Sequence, residues 1–243
     1  MPVAARITDR ADQDDADFAV SLALDRKRPV SDQVYDALKL AIVGVRLLPG
    51  ASISENRICR HFGVSRTPVR TAIVRLAEEG LIDVYPQQGS FVAPIRLAGI
   101  AASRFVRRVL EVAVLREAAA VWTDAMSAEA RAIIVSQARA IAAGDTELFH
   151  HLDECFHRAF SIFAGREAVW GTILGAKASL GRVVRLFGKP DRLPVVVVEH
   201  TAIIDALDTG DADEAARRLA DHLDKIFQMI EQLPEQYRPF VTE

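Results

Sequence analysis

Cysteine is nearly missing from this 243-residue chain, which has only Cys59 and Cys155, far apart. They fit no zinc or redox spacing, so the sequence offers neither a disulfide framework nor a thiolate cage. It reads as buried thiols in a reducing compartment. Long apolar runs are missing too. A membrane span needs roughly 20 consecutive apolar residues, and the longest late run, Val195 to Val198, is far shorter. Met1 to Arg28 alternates Asp, Arg and Ala without an apolar core, so no secretory leader is expected and the chain is placed in the cytoplasm. An excess of charge is also lacking. With 30 basic and 33 acidic residues, the net charge of -3 carries no global nucleic-acid signal, so any such signal has to be local.

What is present is a core-forming composition, 50% hydrophobic, in a chain long enough for two domains. Positive charge gathers from Asn56 to Ala77, where Arg57, Arg60, Arg66, Arg70 and Arg75 meet no acidic residue. On charge alone this is equally a solvated helix face. Geometry separates the readings. In a helix beginning after Gly63, Ser65 or Thr67 caps the start and Pro68 fits the first turn, where N–H groups lack intrahelical partners. Val69, Ala72, Ile73 and Leu76 then share one face, while Arg66, Thr67, Arg70 and Thr71 gather on the other; Val74 is a misfit on the polar side. Glu78, Glu79 and Gly80 end it. Such a helix buries one flank and offers arginines and hydroxyls at its N-terminal end, as a recognition helix does in the major groove.

Upstream, Val34, Ala37, Leu38, Ala41 and Ile42 form a helical stripe over 31–43, with Ser31 as a candidate cap. Ser54 can cap a short helix through Phe62. Downstream, Leu81 to Tyr85 and Ser90 to Ala93 are strand-like runs joined by Pro86-Gln87-Gln88-Gly89, a hairpin wing. Residues 29–95 therefore read as a winged helix-turn-helix of three helices plus a β-hairpin, after a variable tail at 1–28.

This stretch resembles the DNA-binding domain of GntR-family bacterial transcription regulators. The resemblance rests on Val43-Gly44 to Pro49-Gly50, Val-Ser-Arg-Thr-Pro-Val-Arg at 64–70, Leu-x-x-Glu-Gly-Leu-Ile at 76–82 and the Gly-x-Phe-Val wing. It implies DNA contacts at Arg66, Thr67, Arg70 and Gly89, with Ser65 at the adjoining cap, and binding of double-stranded operator DNA by a homodimer. Thr71 stands where the family usually has Glu, Gln88 where a basic residue is frequent, and Cys59 where Ala is usual.

From residue 96 to 234 strand patterns vanish and amphipathic helices follow one another, near 97–123, 127–143, 146–164, 167–187, 192–208 and 211–232. The fold class is mainly α, with the winged domain joined to an all-helical bundle; residues 235–243 read as a C-terminal tail. Asp153 and His157 lie one turn apart, and His200 and His222 fall on two later helices. Converging in a bundle core, this carboxylate and three imidazoles would suit a divalent ion of the Zn, Ni or Mn type. A lone Asp-x-x-x-His pair is more often a surface pair. Cys155 reads as core, and His150 as a neighbour of the set or a substitute ligand.

This half resembles the FCD ligand-binding domain of the FadR subfamily, in its six-helix, VanR-like branch. The residues that carry the resemblance are Asp153-x-x-x-His157, Glu199-His200, Gly210-Asp211, His222-Leu223 and the Arg107-x-x-Leu-Glu111 frame. Gly165-Arg166 departs from the usual Gly-Asn. The resemblance implies a metal at the base of a pocket whose coordination a small carboxylate effector completes. Arg107 is the candidate effector contact, against a plain salt bridge. The function expected is a ligand-responsive transcription regulator, in the repressor sense. The alternative is a metal-ion-responsive regulator without organic effector. An enzyme is not expected, because no nucleophile–base set accompanies the ligands.

Overall fold

The computed structural model describes residues 24–188, 191–231 and 235–242, so the expected tail lies outside the described residues up to residue 23. The chain divides into two compact units. One comprises the described residues up to Gly99, with Gly181–Leu186 and 235–242; the other comprises Ile100–Leu180 and the described residues from Phe187.

In the first unit, α1 (Val30–Val43), α2 (Glu55–Phe62) and α3 (Arg66–Glu78) pack beside a three-stranded antiparallel sheet. Its strands are β1 (Ser52–Ile53), β2 (Ile82–Tyr85) and β3 (Gly89–Val92), in the order β1-β3-β2. The sequence shows no sign of β1, a two-residue strand. Helix α1 starts one residue ahead of Ser31, with Pro29 at its N-cap. Val34, Leu38 and Ile42 from α1 and Val69, Ala72, Ile73 and Leu76 from α3 are buried with Ile58, Leu81 and Ile82. Each large aliphatic side chain so buried contributes about 1.5–3 kcal/mol. The predicted misfit, Val74, is 54% exposed.

Residues 235–242, expected as a tail, are ordered instead. A 3-10 helix (Glu235–Phe240) leads into β5 (Val241–Thr242), which pairs in parallel with β4 (Ile95–Arg96). Ladder hydrogen bonds and the buried Ile95 account for the order. Arg182, in the 181–186 segment of this unit, is 1% exposed and donates to the Ala93 carbonyl at 2.5 Å. Burial pushes its pKa down to about 10.

The second unit is the expected helical bundle, formed by α4 (Leu97–Ala119) from Ile100 on, α5 (Asp124–Ala142), α6 (Thr146–Phe163), α7 (Glu167–Phe187) without its 181–186 segment, α8 (Arg192–Asp208) and α9 (Ala212–Glu231). Gly144, Gly165 and Gly210 all have positive φ, from 65° to 76°, and close the ends of α5, α6 and α8. One break differs from the expected position at Ser127. Helix α4 ends at Ala119, and Thr123 caps α5 by accepting from the Met126 N–H. The core joins Val114 and Leu115 of α4, Ile134 of α5, Phe156 and Phe160 of α6, Ile203, Ile204 and Leu207 of α8, and Leu219 and Leu223 of α9.

Candidate metal centre and nucleic-acid interface

In the first unit the local sequence sets a helix-turn-helix. Ser54 accepts from the Arg57 N–H at the start of α2, and Gly63 (φ 63°) ends it in the left-handed conformation that permits an abrupt turn. Ser65 occupies the N-cap of α3 in extended geometry, but its hydroxyl makes no capping hydrogen bond. Ser65, Arg66, Thr67, Arg70 and Thr71 are all exposed, while the opposite face of α3 is buried. The face is therefore free to meet a ligand with its hydroxyl and guanidinium groups and the positive end of the helix.

Arg70 reaches back to Glu55, Nε at 2.9 and 3.1 Å from the two carboxylate oxygens, and its side chain remains 62% exposed. Arg75 differs. It pairs with Asp32 at 2.6 Å and lies 4.0 Å over the Tyr35 ring, so it braces α3 against α1. His61 is exposed and packs edge-on against Phe62. Gly89 sits at the wing tip with φ 111°, opposite Tyr85 in the ladder; a side chain there would be strained.

In the second unit, Asp153, His157, His200 and His222 come together. Each offers a ligand atom, and these atoms all lie within 4.8 Å of one another. Helix periodicity explains how. The stripe Phe149, Phe156 and Phe160 turns α6 inward and carries His157 with it, while His200 precedes Ile203 and Ile204 on the buried stripe of α8. His157 and His200 are 2% and 0% exposed. The Phe156 ring stacks on His200 with centroids 3.9 Å apart. Asp153 Oδ1 lies 3.8 Å from His157 Nε2 and 3.7 Å from His200 Nε2.

Both of those Nε2 atoms are buried without a hydrogen-bond partner among the described residues. Orphaned buried acceptors are rare and costly, and a cation shared with Asp153 would satisfy them. Donors around one ion at about 2.1 Å lie at most roughly 4.2 Å apart, so small shifts would close the set. The residues thus fit a divalent metal with nitrogen and oxygen ligands.

Electrostatics agree with that chemistry. Burial raises the Asp153 carboxyl pKa, but Lys177 and the three imidazoles outweigh it and hold it well below the ordinary range. Burial, with His222 nearby, pushes His200 well below its usual value; burial also lowers His222. The centre therefore holds the Asp153 carboxylate beside neutral His200 and His222 rings at neutral pH, the protonation states that ligate.

Around the four stand groups that sequence reasoning gave no role there. Lys177 of α7 places Nζ 3.2 Å from Asp153 Oδ2. Glu199 Oε2 is 2.7 Å from His222 Nδ1 and accepts from Arg192, while Lys225 donates to Glu199 Oε1. Glu111 Oε2 is 2.7 Å from His157 Nδ1 in a buried ion-pair contact, outside the angular range of a hydrogen bond. Arg107, the candidate effector contact, is 7% exposed, and its Nε donates to Glu111 Oε1 at 2.6 Å. It stands behind His157, one side chain removed from the ligands. Burial raises the Glu111 carboxyl, yet Arg107 and His157 bring it far below the usual range. Cys155 is half-buried rather than core, with Sγ 3.7 Å from His151 Nε2. Neither it nor His150 belongs to the converging set.

Residues 30–92 match the family described as bacterial regulatory proteins, gntR family, and residues 104–225 match the FCD domain. The chain belongs to the GntR family. It is a DNA-binding transcription regulator of the GntR/FCD type, and its relatives are regulators rather than enzymes. It is 32% identical over 227 residues to the HTH-type transcriptional repressor RspR of Escherichia coli (strain K12), covering 93% of this chain and 100% of that protein. It is 28% identical over 198 residues to a probable D-xylose utilization operon transcriptional repressor of Paenarthrobacter nicotinovorans, covering 80% and 85%. Among solved structures, E. coli McbR/YncC shares the fold at TM-score 0.72 and 22% identity, covering 84% of this chain and 99% of that one. A putative GntR regulator from Rhodococcus sp. RHA1 gives 0.71 at 25% identity, with the same coverage. Among the described residues no helix is long and apolar enough to cross a membrane.

Proposed function

We propose that this regulator is a cytoplasmic, homodimeric repressor whose helical unit binds a divalent ion and a small carboxylate effector that alters operator binding. The observation that carries the reading is the convergence of Asp153, His157, His200 and His222 within the FCD segment. These four residues would hold the ion. When bound, it would supply coordination positions that a carboxylate oxygen can take. The chain's own residues do the rest. Lys177, only 15% exposed at its side chain, sets a positive charge beside Asp153 that favours an anionic visitor. Arg107 neutralises Glu111 behind His157, and so serves the site from one layer further out than a direct effector contact.

On the DNA side, Arg66, Thr67 and Arg70 would read the operator, with Ser65 at the helix start and Gly89 at the wing. In a homodimer each winged unit takes one half-site of an inverted repeat. An effector that favours one arrangement of the two units then shifts affinity for DNA.

Thermal unfolding of metal-loaded and chelator-stripped protein against a panel of small carboxylic and sugar acids tests this. A ligand at about 100 times its Kd adds about 2.7 kcal/mol. The reading expects one acid to stabilise the loaded protein only. A large shift from metal alone, with no response to any acid, would replace it with a regulator that senses the ion itself.

A further inference from the structure

The three imidazoles each meet the surroundings of the centre through Nδ1, and the acceptors there are not equivalent. His157 faces Glu111 and His222 faces Glu199, both at 2.7 Å. An ionised carboxylate can only accept, so the hydrogen bond to Glu199 demands a proton on His222 Nδ1 and leaves its Nε2 with the lone pair, while Glu111 stands against His157 Nδ1 outside hydrogen-bond angles. His200 faces an amide instead: its Nδ1 is 3.0 Å from Gln137 Oε1. An amide both donates and accepts. With Oε1 toward the ring, the proton sits on Nδ1 and Nε2 is free; reversed, the proton would move to Nε2, which then could not ligate.

Gln137 is 0% exposed and occupies a core position of α5, on the stripe Ala130, Ile134, Gln137 and Ala140, where helical period calls for an apolar side chain. Its Nε2 has no hydrogen-bond partner among the described residues. The His200 ring, held between this amide and the stacked Phe156, directs Nε2 toward Asp153. A buried amide satisfied at one atom only is explained by what that atom does.

We infer that Gln137 is a positioning residue for the metal centre: its carbonyl oxygen fixes the His200 tautomer that presents Nε2 to the ion. This rests on the metal reading above. Outer partners of ligating histidines commonly change metal affinity 10–100-fold when removed, and Gln137 is the one partner here able to select either tautomer.

The test has two arms on the full-length protein. In metal-free protein with 15N-labelled histidine, long-range 15N–1H correlation reports which ring nitrogen carries the proton. Wild-type His200 is expected to carry it on Nδ1. Gln137→Leu, which fills the space without an acceptor, should lose that preference, and Gln137→Glu should keep it. In competition titrations with zinc, Gln137→Leu should bind about 10–100-fold more weakly, and Gln137→Glu close to wild type. A wild-type His200 protonated on Nε2 overturns the inference and needs no variant to fold. So does a Gln137→Leu protein that folds and binds zinc as tightly as wild type. Wild-type protein that takes up no zinc ends the metal reading and this inference together, whereas an affinity unmoved by Gln137→Leu ends only the latter.

Discussion

In the winged unit the arginines on the polar face of α3 stand in solvent, whereas in the helical unit the charges around the candidate centre are folded inward and closed on one another. Arg70 is 62% exposed and meets Glu55 in water. Arg107 and Glu111 are 8% and 3% exposed at their side chains and form a buried pair beneath His157. The difference teaches how each site is kept ready. An exposed guanidinium costs little to hold and can exchange its partner for a phosphate or a base edge. A buried pair is expensive to desolvate and cannot be re-partnered without loss, so it fixes a neighbour in place.

Substitutions on the two sides should therefore separate stability from binding. Glu111→Ala gives the largest effect: it leaves Arg107 buried without its counter-charge, which costs roughly 3–5 kcal/mol. Urea unfolding of the variant should show that loss, and its metal affinity should fall as well. A midpoint like the wild type's would mean that the pair relaxes to solvent and does not brace His157. Arg70→Ala should leave unfolding nearly unchanged, because an exposed pair contributes little. It should weaken operator binding by about 1–3 kcal/mol and relax base preference if the guanidinium is bidentate to guanine. Fluorescence anisotropy with operator variants reads both quantities; an unaltered affinity removes Arg70 from the recognition surface.

The same contrast governs what could be read from the sequence. The exposed polar face of α3 was legible because burial and exposure alternate with helical period: Val69, Ala72, Ile73 and Leu76 inside, Arg66, Thr67, Arg70 and Thr71 outside. The four candidate ligands were legible as residue types on three helices, and the bundle brings them together. Their supports were not. Gln137 looks like any polar residue until the apolar stripe around it is known to face inward, and Lys177 lies in a stretch without a motif. For Arg107 the sequence leaves an effector contact and a plain salt bridge both open. Its side chain turns to Glu111, one turn on, because an i, i+4 pair on a buried face is the nearest compensation for both charges.

Boundaries failed where no glycine or proline marks them. Ala120, Val121 and Trp122 continue an apolar helical pattern, yet the chain turns there; Trp122 Nε1 donates to Asp208 at 2.9 Å, a contact with α8 that periodicity does not encode. Strand β5 was hidden for a related reason. Two residues are too few for a pattern, and its partner, Ile95–Arg96, lies far earlier in the sequence, before the whole helical bundle.

The central claim is that Asp153, His157, His200 and His222 form one metal centre. Its most direct test is calorimetric titration of the chelator-treated protein with nickel, beside Asp153→Ala checked for intact helicity by circular dichroism. The account predicts saturable uptake of one equivalent per chain by the wild type and its loss in the variant. A wild type with no saturable uptake, or a folded Asp153→Ala that binds nickel as the wild type does, would contradict it.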